Sequence, residues 1–316
     1  MARTGYGPKQ MDLDGRRRSD NFEDRGRGEQ RASAAGLPIQ ALLALTRFLG
    51  VKGTLAIGAI AGLGYLVLPS GIKHQLLQAV TGGQVSGQSG GATKVCDASP
   101  ANQKACDFSR QVLGSTEDEW TSQFKKGELP RYGVETGSVY RAPTLVVFAD
   151  AVPTDGCGNA TSAVGPFYCP GDEKLYIDPS FYDVMETRLK APGDFAQAYV
   201  IAHEVGHHVQ NLIGANKIGL KGETRNQTSV RLELQADCLA GVWGHTAQAS
   251  LKITDDDLKE AVNAAHAIGD DTLGNGSAAN YTHGSSAQRM RWFRTGFDSG
   301  DPRKCDTFAG PAAHEL

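Results

Sequence analysis

The stretch AHEVGHHVQN, residues 202–211, places three histidines and a glutamate within six positions. It sits inside DFAQAYVIAHEVGHHVQNLIG, residues 194–214, where apolar residues recur at helical spacing and Gly214 stands where a helix would close. On such a helix, residues four apart differ by about 40° in direction, so His203 and His207 share one face. His208 lies about 140° from His203 and cannot join them without breaking the helix. Glu204, one residue beyond the first histidine, can reach a water on a metal without ligating. The pattern His203-Glu204-Val205-Gly206-His207 therefore predicts two imidazole donors for one catalytic Zn²⁺, with a carboxylate base beside them.

A catalytic zinc takes three protein ligands and leaves a fourth position open. An arrangement with a third histidine on the same segment fails, because Gln210 and Ile213 stand where it needs Gly and His. The segment RLELQADCLAGVW, residues 231–243, supplies carboxylates instead: Glu233 and Asp237 are four apart and share a helical face. The apolar residues around them, among them Leu232, Leu234, Leu239, Val242 and Trp243, should bury this helix, and a buried carboxylate needs a partner. Glu233 is expected as third ligand, and Asp237 as acceptor of the free N–H of a ligand histidine. Glu223, in the polar loop KGETRNQ (221–227), is the rival for the third position.

Outward from these two segments, the spacing predicts further helices at about 102–126, 229–250, 255–268 (with Thr254 as N-cap) and 285–297. PTLVVFAD (143–150) and KLYIDPSF (174–181) are rich in β-branched and aromatic residues and read as strands, joined by a loop punctuated with Gly and Pro. Short strands first and helices afterwards make an α+β domain over residues 95–316. An oxyanion formed during hydrolysis needs a further donor, for which His283, Tyr281 and Arg289 are candidates. His74, His245, His266 and His314 have no partners at ligand spacing.

The N-terminal third has a different composition. Residues 1–36 are basic and poor in apolar residues, which predicts a disordered arm. Residues 37–70 form a candidate anchor region around the uncharged run GTLAIGAIAGLGYLVLP (53–69), predicting one transmembrane helix at about 50–69; a buried core helix is the competing reading. The basic arm before it predicts an N-terminus in the cytoplasm and a domain outside the cytoplasmic membrane. Residues 71–94, with the Gly- and Ser-rich GGQVSGQSGGATK at 82–94, read as a tether. All six cysteines lie after the apolar run, as expected of disulfides in an oxidising compartment, with Cys96–Cys106, Cys157–Cys169 and Cys238–Cys305 as the first pairings to consider. A net charge of −3 and the absence of any basic binding module give no reason to expect a nucleic-acid partner.

H-E-x-x-H followed by E-x-x-x-D on a later helix resembles the gluzincin arrangement. The longer strings AHEVGHHVQ and RLELQADCLAGVW resemble the neutral zinc metallopeptidase family of bacterial, membrane-anchored proteins. So do RRSDNFEDRG (17–26), YRAPTLVVF (140–148), the stretch 156–181 containing GPFYCPGDEKLYIDPSF, and HGSSAQRMRWFRTGF (283–297). The resemblance implies a zincin-like peptidase domain preceded by one membrane anchor and acting on a peptide or protein substrate, but it names no substrate. Glu204 would serve as general base toward a water made acidic by zinc. A non-proteolytic zinc-binding scaffold of the cell envelope and a zinc amidase acting on cell-wall material stay open as alternatives. Oligomeric state is not legible.

Overall fold

The first element of the fold falls where composition predicts disorder. In the computed structural model, which describes residues 11–28, 94–133, 137 and 139–316, Phe22–Arg27 form a strand, β1. Upstream of it, Met11 and Ser19 are buried. The expected disordered arm over 1–36 is therefore corrected for residues 11–28. Their order comes from partners far along the chain, which local composition does not report. The predicted anchor region 37–70, its transmembrane helix at about 50–69, and the tether up to residue 93 lie outside the described residues. Among the described residues no helix is long and apolar enough to cross a membrane.

Helix α1 (Pro100–Lys126) begins with Ser99, whose side chain accepts from the amide of Asn102, and it ends at Gly127 in the left-handed conformation. Strands β2 (Thr144–Ala149), β3 (Ala151–Pro153), β4 (Asn159–Thr161), β5 (Phe167–Cys169) and β6 (Lys174–Ile177) follow. β3 and β4 pair with each other, and the others form a sheet in the order β1-β2-β6-β5. β1 and β6 flank β2 in parallel, while β5 runs antiparallel along β6 at the edge. The run Leu145, Val146, Val147, Phe148 is buried on both faces, as expected of a central strand. The strand predicted over 174–181 stops early. Proline cannot donate to the ladder, Asp178 accepts from the Ser180 amide, and helix α2 (Ser180–Thr187) takes over.

The remaining helices are α3 (Asp194–Ile213), α4 (Arg225–Leu251), α5 (Asp255–Ala267), α6 (Asp270–Leu273) and α7 (Ser286–Ser299). Thr224, Thr254 and Ser285 close capping boxes at the starts of α4, α5 and α7, so these boundaries follow from local chemistry. α3 packs on α4 where Gly206 faces Ala236: a Cβ at 206 would stand 3.0 Å from the Ala236 backbone. α4 and α7 approach still more closely, since a Cβ on Gly296 would meet the Cys238 carbonyl oxygen at 1.9 Å. These contacts bring the three helices that carry the ionisable residues together. The three expected disulfides are present, Cys96–Cys106, Cys157–Cys169 and Cys238–Cys305, the last tying α4 to the turn at 302–305.

Candidate metal centre

α3 turns His203 and His207 toward Glu233 on α4. His203 Nε2 lies 3.3 Å from one Glu233 oxygen and His207 Nε2 lies 3.4 Å from the other. The three donor atoms fall within 4.8 Å of one another. Tetrahedral donors bound at zinc's usual lengths of 2.0–2.1 Å stand roughly 3.3–3.4 Å apart, which is the separation each histidine nitrogen keeps from its nearer Glu233 oxygen.

The outer ring nitrogens fix the tautomers. His203 Nδ1 faces Asp237 Oδ1 at 2.9 Å, and His207 Nδ1 faces the Gln210 side-chain oxygen at 2.8 Å. Both Nδ1 atoms therefore donate, leaving each Nε2 lone pair for a metal. Gln210 is in turn oriented by donating to the Leu232 carbonyl at 2.6 Å. Gln210, not among the residues expected from the sequence, stands three positions after His207 on one helix, a spacing that signals this contact.

Asp237 is completely buried and gathers four donor contacts. Tyr199 Oη and His203 Nδ1 meet one oxygen, while Arg289 on α7 donates from Nε at 2.8 Å and from Nη2 at 2.9 Å. Burial alone would raise the Asp237 pKa, but Arg289 and His203 hold it below the usual carboxylate value. Burial likewise opposes charge on His203, yet Asp237 and Glu233 push its pKa up to about 9. The site thus holds a proton on this imidazole at neutral pH when no cation takes its place.

The other candidates sort clearly. Glu223 pairs with Arg231 at 2.7 Å, so the rival third ligand is committed elsewhere. His208 donates from Nε2 to the Arg141 carbonyl and accepts at Nδ1 from Tyr168, consistent with its exclusion on angular grounds. Arg289 is buried against Asp237 and is a supporting residue, not the free oxyanion donor expected. Tyr281 packs beside Val230, Leu234 and Leu316. His283 lines the cleft, and Asp270 accepts from its backbone amide at 2.7 Å and faces its Nδ1 at 3.3 Å.

Glu204, His203, His207, Glu233, Arg289 and His283 open onto one cleft of about 880 Å³. Phe181, Val184, Met185, Leu189, Ile268 and Leu273 supply an apolar part of its lining. Gly165 to Tyr168 line it too, and they lead into β5, the sheet edge. β6 is paired on both sides and has no free edge to offer a substrate.

The profile of the family described as "Putative neutral zinc metallopeptidase" matches residues 11–308. The chain belongs to this family. The chain is 43% identical over 310 residues to the "Uncharacterized protein YpfJ" of Escherichia coli (strain K12), covering 94% of this chain and 99% of the relative. It is also 43% identical over 187 residues to the "Uncharacterized protein Rv2575" of Mycobacterium tuberculosis (strain ATCC 25618 / H37Rv), covering 54% of this chain and 64% of that one. No solved structure matches the chain. The matched span includes both the β1 segment and the candidate metal-binding residues.

Proposed function

We propose that the chain is a zinc-dependent peptidase in which His203, His207 and Glu233 hold the ion and Glu204 is the general base. The observation that carries this reading is the donor spacing of 3.3 and 3.4 Å around Glu233, with Glu204 lining the same cleft. A zinc ion held there would make a bound water acidic enough to ionise near neutral pH and would polarise a carbonyl. Glu204 is the group placed to accept that proton and pass it to a leaving amine. β5, with an open edge toward the cleft, offers backbone groups to an extended peptide. His283, braced by Asp270, is placed to donate to the developing oxyanion. Three disulfides favour an oxidising compartment outside the cytoplasmic membrane. The apolar run 53–69 is the candidate for membrane attachment.

Metal analysis of the purified protein, combined with a peptide-library digest, tests this. The wild type should carry one zinc and cleave, while Glu204→Gln should keep the zinc and lose cleavage. Zinc retained by both without any cleavage by the wild type would turn the reading toward the scaffold. Release of cell-wall fragments without peptide cleavage would turn it toward the amidase.

A further inference from the structure

We infer that residues 11–28 and the metal-binding domain lie on the same side of any membrane the chain meets. The motif RRSDNFEDRG (17–26), which the catalytic chemistry leaves unused, is the docking element that fixes this.

Nearly every polar side chain of the motif is spent on the domain. Glu117 of α1, itself buried, accepts from Arg17 Nη1 at 2.8 Å, from Asn21 Nδ2 at 2.8 Å and from Ser19 Oγ. Arg17 also pairs with Asp118 at 2.9 Å, and Arg18 with Asp107 at 2.9 Å. Gly114 leaves room for the arm, since a Cβ there would stand 2.7 Å from the Arg17 carbonyl oxygen. β1 then pairs with β2 from Phe22 opposite Leu145 to Arg27 opposite Ala149. Arg17 and Arg18 of the basic arm are thus paired with carboxylates of the domain.

The decisive contact joins the two flanks of the intervening stretch. Asp24, within β1, accepts from the amides of Val95 and Cys96, each at 2.9 Å. Gly28 N donates to the Ala149 carbonyl at 3.0 Å. The chain therefore leaves the domain and returns to it at one corner. Hydrogen bonds cannot be made through a hydrocarbon layer about 30 Å thick. A single crossing with the arm inside and the domain outside would have to break the whole set: the β1–β2 ladder, the Glu117 clasp and the Asp24 bridge.

The test uses the full chain in its host membrane. Cysteine is placed singly at Asp20, whose side chain is fully exposed, and at Lys125, exposed near the end of α1. Intact spheroplasts are treated with a membrane-impermeant maleimide before and after detergent. Equal labelling of both positions, with or without detergent, is expected. Labelling of one position without detergent and of the other only after it would overturn the inference. If neither labels until detergent is added, the same-side inference holds, and the proposed extracytoplasmic location is what fails. Hydrogen exchange on the full-length protein gives an independent reading. The amides of 22–27 that donate to β2 should exchange far more slowly than a random coil, and random-coil rates there would overturn the docking itself.

Discussion

Two buried carboxylates organise this molecule, and they are built alike. Asp237 gathers Tyr199, His203 and Arg289, while Glu117 gathers Arg17, Ser19 and Asn21. The difference is water. The Arg289 side chain is 2% exposed, whereas that of Arg17 is 50% exposed. In the first cluster no group can fall back on solvent if a partner is lost, so removing one leaves an uncompensated charge. In the second, solvent replaces much of what a deletion removes. One arrangement holds the His203 imidazole to a single orientation, and the other fastens an arm to a helix. The comparison teaches that the donor count says little about what a cluster is worth until its access to water is known.

The largest expected effect removes the metal that the first cluster serves. His203→Ala, His207→Ala or Glu233→Ala should each abolish stoichiometric zinc in the purified protein, measured by metal content. Stoichiometric zinc in any one of them would remove that residue from the ligand set. Asp237 is one step further out, and Asp237→Ala should cost roughly 10–100-fold in zinc affinity or activity.

The comparison is broken more directly at Arg289. Arg289→Met leaves the Asp237 charge buried beside His203, with a loss on the order of 3–5 kcal/mol. For a domain of this size that corresponds to a fall in Tm of roughly 10 °C. Thermal unfolding with zinc bound checks it. An unchanged Tm would mean that Asp237 does not need its arginine and that the two clusters differ less than their burial implies.

The same contrast explains what the sequence could and could not tell. His203, His207, Glu233 and Asp237 were legible because helix geometry converts a spacing of four into a shared face, and the apolar residues around Glu233 announce burial. The start of α5 was legible from Thr254, whose capping box is local. The arm was not. RRSDNFEDRG is polar and short of apolar residues, and its order depends on Glu117, Asp107 and the edge of β2, some 90 to 120 residues away. Arg289 fell between the two: its segment was marked, but only the close approach of Gly296 to α4 carries the guanidinium to Asp237 instead of leaving it free for a substrate. Gln210 was within local reach, because a residue three positions after His207 on one helix falls beside it.

His208 tests burial without a compensating charge. Burial lowers its pKa from 6.5 to about 4, against the raising effect of the Arg141 carbonyl. A depressed pKa in the folded state means that the stabilising contribution is complete above pH 6.5 and is lost as the pH falls toward 4. At about 1.4 kcal/mol per pKa unit the loss is on the order of 3 kcal/mol. Below that window Nδ1 carries a proton and can no longer accept from Tyr168. His208→Gln should flatten the difference in stability between pH 7 and pH 4, measured by denaturant unfolding with zinc held saturating at pH 7. An unchanged slope would assign the acid sensitivity to other groups.

The smallest effect belongs to the wet side of the comparison. Arg18 and Asp107 pair at 2.9 Å with side chains 48% and 41% exposed. Exposed pairs of this kind are worth up to about 1 kcal/mol, because solvent screens the attraction and ordering two long side chains opposes it. Arg18→Ala should therefore lower global stability by less than about 1 kcal/mol and shift hydrogen exchange only at Ser19 to Phe22. The Glu117 clasp and the β1–β2 ladder should hold the rest of the arm in place. The difference should shrink further in high salt, where the Debye length falls to about 3 Å at 1 M. A loss of several kcal/mol, or release of the whole β1 ladder, would show that the arm is held by its outermost ion pair and that exposure is a poor guide to the value of these contacts.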